Sequence, residues 1–178
     1  MASTQAAIVD RIEALIEALD RTSLIGNRLR ASRNEDGADF QEWAEQSDTA
    51  ALRRFQAIDI GDEDPPEVSN TTTDLRHFTV TILVAYPHTA RYGSSQALDR
   101  RRVMNEDWGR INGTAGIGIY GRANFSGDYD CTPLGADREV IRGASCDFLE
   151  IRARFSYYRN VTFASSAWDA SFSADFGG

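Results

Sequence analysis

The chain has 178 residues, 42% of them apolar, and carries 27 acidic against 19 basic residues, a formal net charge of −8. That length and apolar share suit one domain that buries its own core without a metal or disulfide, and the charge repels phosphates on average, which argues against a DNA-wrapping role. All nineteen basic residues are arginine; without lysine there is no Walker A loop and no Schiff-base chemistry.

The opening stretch "MASTQAAIVDRIEALIEALD" mixes charges into its apolar residues, which is not the pattern of a signal peptide. No apolar run reaches the ~18 residues of a membrane-spanning helix. The expectation is an intracellular chain in which Cys131 and Cys146 stay reduced. Ser3 or Thr4 can cap a first helix. Ile8, Ile12, Leu15, Ile16 and Leu19 form its apolar stripe, with Asp10, Arg11, Glu13, Glu17 and Asp20 largely opposite. This helix should end near Thr22. Residues 31–50 are polar and read mostly as loop, with Phe40 and Trp43 as anchors.

"RRFQAIDI" predicts a strand with Phe55, Ile58 and Ile60 inward. "GDEDPPEVSNTTTD" reads as a long acidic loop, because its two prolines oppose regular structure. "LRHFTVTILVAYP" is the clearest strand, with Phe78, Val80, Ile82, Val84 and Tyr86 on one face and Pro87 at its end. Ser94 or Ser95 then caps a second helix, "SQALDRRRVMNEDWGRIN". Its expected inner face is Leu98, the stem of Arg101, Met104, Trp108 and Ile111, and Gly113 and Gly116 stop it. Short strands are expected at "IGIYG" and "REVIRGA", with a loop, "RANFSGDYDCTPLG", between them. A last long strand turns Leu149, Ile151, Ala153, Phe155 and Tyr157 inward and Glu150, Arg152 and Arg154 the other way.

Strands that come in groups predict an α+β fold: a mainly antiparallel sheet with two amphipathic helices packed on one face, plus the acidic loop and a C-terminal arm. Residues 1–160 form the expected domain. Residues 161–178 form an extended arm, in which Phe163, Trp168, Phe172 and Phe176 punctuate a Ser/Ala background. Such spacing has no helical or strand period, and so many aromatics are more than a solvated tail needs, which reads as an adhesive tail of an interaction protein.

Several motifs suggest chemistry, and each has a plainer reading. "GIGIYG" matches G-x-G-x-x-G, but a helix precedes it where the dinucleotide fingerprint needs a strand, so it reads as a glycine-rich turn. Asp128 and Asp130 could face a divalent cation, yet aspartates in a glycine-containing loop usually serve the turn. Cys131, Cys146, His77 and His88 match no zinc spacing. Successive residues on a helix differ by about 100°, so Arg100, Arg101 and Arg102 do not make one patch. No catalytic constellation emerges, and no metal or cofactor is expected.

The amphipathic first helix, "RHFTVTILVAY", "ALDRRRVMNEDWGRI" and the closing "FLEIRARFSYYRNV" together resemble, over residues 5–160, the tail terminator proteins of long-tailed bacteriophages, of the lambda-like kind. The resemblance implies a non-enzymatic virion subunit, made in the host cytoplasm, that forms a hexameric ring. That ring caps the tail tube, halts its polymerisation and meets the neck or head-completion proteins. DNA would pass through it without sequence-specific binding. No catalytic, metal or cofactor residues come with the family. The expected interface residues are Asp62, Glu63 and Asp64, facing Arg100, Arg101 and Arg102 of another chain, with Phe163, Trp168, Phe172 and Phe176 on the arm. The stretch at 31–50 and the tail at 160–178 depart from the smaller members and keep another head–tail connector or neck protein as the alternative. A small metal-dependent hydrolase using Asp128 and Asp130 is the alternative of a different class.

Overall fold

The computed structural model describes residues 5–26, 28–31, 37–46, 54–61, 64–65, 68–69, 73–90, 92–126 and 131–160. They form an α+β fold. In chain order the elements are α1 (Gln5–Ala18), β1 (Arg30–Ala31), α2 (Gly37–Gln46), β2 (Arg54–Ile60), β3 (Val68–Ser69), β4 (Thr73–Pro87), α3 (Gln96–Ile111), a 3-10 helix (Ile119–Phe125), β5 (Cys131–Arg142) and β6 (Cys146–Asn160). The sheet order is β1-β2-β4-β6-β5, with β3 paired to β4 off this path. β1 pairs with β2 in parallel; the other pairings are antiparallel.

The two strands that the period-2 pattern marks most clearly, β4 and β6, lie side by side. They pair from Thr73↔Asn160 to Pro87↔Cys146 without a register shift. Phe78 thereby faces Phe155, Val80 faces Ala153, and Ile82 faces Ile151. Their rings and branches join one buried cluster with Ile8, Ile12 and Ile16 of α1 and Val103, Met104 and Ile111 of α3. Each fully buried aliphatic side chain contributes about 1.5–3 kcal/mol. Aromatic contacts extend the cluster to the 3-10 helix: Phe78 stacks on Phe155 at 5.6 Å, and Phe125 meets Phe155 edge-on at 5.3 Å.

The alternate positions of the same strands build a second cluster, Leu83, Ala85, Cys146 and Phe148, with Phe40 and Ala44 of α2. This helix corrects the loop expected over 31–50. Phe40, Trp43 and Ala44 follow an i, i+3, i+4 stripe that is too short to stand out among acids. Apolar partners on the sheet select the helix.

Other expectations shift for equally local reasons. α1 stops at Ala18 rather than near Thr22; the Thr22 hydroxyl instead accepts the Ile25 N–H at 3.0 Å and closes a turn. Glu13, expected opposite the stripe, is buried. "IGIYG" is no strand: Ile119 opens the 3-10 helix, which also takes in part of the expected loop. The rest of that loop from Cys131 onward belongs to β5. Pro133 is tolerated because β5 ends the sheet order among the described residues, and a bulge follows between Pro133 and Gly135. The strand at Arg54–Ile60 is present; the inward placement of Phe55, Ile58 and Ile60 lies outside the described side chains.

The inner face of α3 is rotated from the expected one. Met104 and Ile111 are buried as foreseen, but Leu98 is 70% exposed, while Val103 and Asp107 are buried. A buried carboxylate costs free energy unless it is hydrogen-bonded. The Tyr86 hydroxyl donates to Asp107 Oδ2 at 2.8 Å and so ties α3 to β4 through the core.

Tyr86→Phe should therefore destabilise the protein by about 1–3 kcal/mol, because it leaves a buried carboxylate short of a donor. Leu98→Ser should change stability by less than about 0.5 kcal/mol. Urea unfolding of both variants checks the rotated face.

Candidate functional site

Pairing with β6 fixes the side-chain directions on β5. Arg138, Val140 and Arg142 stand opposite Ile151, Leu149 and Asp147 and share their face of the sheet. Arg101, Met104 and Asn105 of α3 meet them across a groove. The groove continues as a cleft of about 350 Å³ past Arg100 to His88, Asp147 and the β5–β6 turn. That turn is pinned from two sides: the His88 N–H donates to the Ser145 carbonyl at 2.8 Å, and the Ala144 N–H donates to Glu45 Oε1 of α2 at 2.8 Å.

The three consecutive arginines of α3 divide three ways. Arg100 turns inward, where its Nε donates to Asp147 Oδ2 at 2.7 Å and its guanidinium lies 6.0 Å over the Tyr92 ring. His88 Nε2 reaches the other oxygen of the same carboxylate at 3.2 Å. Arg102 runs along the helix to Glu106 at 3.4 Å, and Glu106 also accepts from the Ser23 hydroxyl at 3.0 Å. Arg101 is exposed and lines the cleft. Arg138 adds a second guanidinium, placed by a 3.0 Å bond from Nη1 to Asn105 Oδ1 and by the Trp108 ring 5.4 Å below it. Arg142, exposed at the end of β5, adds a third.

This is a cationic hollow on an acidic protein. Arg101, Arg138 and Arg142 present planar forks suited to bidentate contact with carboxylate or phosphate. Leu98 at 70% exposure and Val140 at 48% supply apolar surface beside them. β5 itself is a twelve-residue strand at the end of the sheet order among the described residues. The outer backbone groups of such an edge strand are a template for another strand.

Of the interface residues read from the sequence, Arg101 lies in this hollow, whereas Arg100 and Arg102 are paired within the chain. Asp64 is exposed at the far end of β4, where its N–H donates to the His77 carbonyl at 3.1 Å. Asp62, Glu63, Phe163, Trp168, Phe172 and Phe176 lie outside the described residues, as do Asp128 and Asp130. Sequence reasoning missed Arg138 and Arg142. Their signal was the alternation in "REVIR", legible as a face only once β5 is known to pair with β6.

Cys131 stands opposite Tyr157, and Cys146 lies eleven positions away on the same β6, or about 35 Å at strand rise. The two thiols cannot share a zinc ion. The glycine motif closes the C-terminus of α3: the Ile117 N–H donates to the Ile111 carbonyl at 2.7 Å, and a side chain at Gly116 would strike that carbonyl. The backbone crowding explains the glycine without a nucleotide.

Asp147 is pulled two ways. Burial raises its pKa, but hydrogen bonds from His88 and Arg100 and the charge of Arg100 outweigh this and hold it below the usual carboxylate value. A lowered carboxyl pKa contributes stability that is present above the unfolded pKa, about 4, and lost as pH falls through the folded value. Asp147→Asn should thus be less stable than the wild type at pH 7, and the gap should close below about pH 4. Thermal melts at several pH values measure it. Burial also pushes the Cys131 thiol up to about 12 and, with the charges of Glu45 and Asp147 adding to it, the Cys146 thiol up to about 11. Iodoacetamide at pH 8 should therefore leave both thiols unmodified in the native protein and alkylate both after unfolding, as mass spectrometry will show.

No protein-family model matches the chain, and no curated protein matches it either. The functional reading rests on the residues and their arrangement.

Proposed function

We propose that this chain is a structural subunit of the tail terminator kind, which assembles into a hexameric ring, caps a phage tail tube and meets the neck or head-completion proteins. In this reading α1 and α3 form one helical layer over the sheet. Residues 161–178 are an arm laid on a neighbouring subunit, and DNA passes the ring without sequence-specific contacts.

The observation that carries the proposal is the β5 edge with its cationic hollow. An edge strand of twelve residues that carries Arg138, exposed Val140 and Arg142 and faces Arg101 of α3 has the features of a surface meant to be covered. Its charged positions discourage indiscriminate strand pairing, and its bulge between Pro133 and Gly135 limits the length of any ladder. A ring subunit needs a contact that is both adhesive and selective. A connector or neck protein would use the same surface and differ only in what the ring binds. The hydrolase alternative rests on Asp128 and Asp130, and no feature of the described residues favours it.

Negative-stain microscopy and sedimentation of the purified protein, with and without tail tubes, test the reading. Rings of uniform diameter seated on one end of the tubes are expected. A protein that stays monomeric and leaves tube ends bare would overturn it. Truncation after Asn160 should keep the melting temperature and weaken ring formation; loss of folding would return the arm to the core.

A further inference from the structure

We infer that the outer edge of β5, from Ala136 to Arg142, binds an extended segment of another protein as an added strand, one whose carboxylates stand four residues apart about an aliphatic side chain. The inference stands on β5 alone and goes beyond the ring reading; in a ring, the segment belongs to a protein that the ring meets rather than to the next subunit.

The charges of β5 alternate with its pleat. Arg138, Val140 and Arg142 share the α3 face, Asp137 and Glu139 take the other, and all five are exposed. The bulge between Pro133 and Gly135 leaves the stretch from Ala136 onward as the regular part of the edge, and no strand covers its outer side among the described residues. An added strand has the same rise per residue, so its side chains fall opposite those of β5 in register. Arg138 and Arg142 are about 13 Å apart at that rise. The matching segment carries an acid opposite each of them, an aliphatic residue opposite Val140 and a base opposite Glu139. Arg101 lines the same groove from α3. Neither Arg101 nor Arg142 has an ion pair among the described residues, so carboxylates arriving from outside displace no internal partner. Ladder hydrogen bonds supply the affinity of such a contact, and the alternate side chains supply its selectivity.

A second copy of this chain does not supply that segment. Two β5 edges meeting antiparallel about a two-fold axis pair most of Ala136–Arg142 only when the axis passes at Arg138, Glu139 or Val140. The first sets Arg138 against Arg138, the second Glu139 against Glu139, and the third Arg138 against Arg142. Like charges directly opposite are destabilising. Elsewhere in the sequence, two acids four positions apart about an aliphatic residue occur once, as Glu13, Leu15 and Glu17. There α1 holds them in a helix, with Glu13 and Leu15 buried. A nucleic acid fits no better: its phosphates do not alternate, so along this edge they meet Asp137 and Glu139 as well as the arginines. Only an extended peptide keeps its acids on one side of the edge.

Two end-capped peptides of identical composition and charge test this on the full chain. Thr-Glu-Lys-Val-Lys-Glu-Thr can set its acids opposite Arg138 and Arg142 together; Thr-Lys-Glu-Val-Glu-Lys-Thr sets bases there. Fluorescence anisotropy of the labelled peptides measures binding, and hydrogen exchange read by mass spectrometry locates it. The first peptide should bind at least tenfold more tightly than the second, slow exchange over residues 136–142, and weaken as salt rises. R138E/R142E/D137K/E139K, checked for folding by circular dichroism and thermal melts, should exchange the preference and take the second peptide. Equal binding of both peptides by the wild type, or binding of neither, overturns the inference and leaves the ring reading standing; this arm needs no variant. A folded variant that keeps the wild-type preference also overturns it, because the peptide then binds elsewhere. If exchange over 136–142 slows with protein concentration alone, a second copy covers the edge, and if only a labelled DNA duplex binds and R138E/R142E abolishes it, the groove is a phosphate site; either result overturns the inference. Selective peptide binding by a protein that forms no rings sinks the ring reading and leaves this one.

Discussion

The ladder between β4 and β6 is the constraint on which the other parts depend. Fifteen residues of each strand pair without a shift, so the faces of the two strands are assigned together. A slip of one residue would exchange the faces, send Phe78, Val80, Ile82, Phe155 and Tyr157 away from α1 and α3, and bring Arg152 and Arg154 into the core. The aromatic contact of Phe78 with Phe155 and the branched pair Ile82 with Ile151 make such a slip costly. Because the register is fixed, Asp147 lies at the same end as Tyr86 and His88, and the turn from β5 into β6 is aimed at α2.

From that frame the polar interactions follow in order of burial. Tyr86 and Asp107 are both inside, so their hydrogen bond decides how α3 is rotated on the sheet. That rotation places Val103 inward, Leu98 outward and Arg100 over Asp147. Arg101 then points into the hollow, one hundred degrees further round. The surface of three guanidiniums thus has two sources: the seating of α3 presents Arg101, and the β5–β6 pairing presents Arg138 and Arg142. Exposed ion pairs such as Arg102 with Glu106 contribute little to stability, about 0–1 kcal/mol each; the loop after α1 is held against the helix by the Ser23 N–H and hydroxyl, which donate to Glu106.

The sequence by itself determined the elements whose apolar residues repeat at a fixed period: α1 from Ile8 to Ile16, β4 from Phe78 to Tyr86 and β6 from Leu149 to Tyr157. Those periods are local and survive without any knowledge of neighbours. It determined that Gly116 serves a turn, since a helix precedes it. The tertiary structure alone decided α2, whose three-residue stripe needs Phe148 and Leu83 as partners, and the first half of β5, which reads as loop up to Gly135, whereas its second half was already expected as the strand "REVIRGA". It alone decided which of three adjacent arginines lines the groove beside β5 and brought Arg138 and Arg142 beside it. Residues that are neighbours in the chain were parted by the helical turn, and residues more than thirty positions apart were joined by strand pairing. No local pattern records distances of that kind, because they are set by packing between elements.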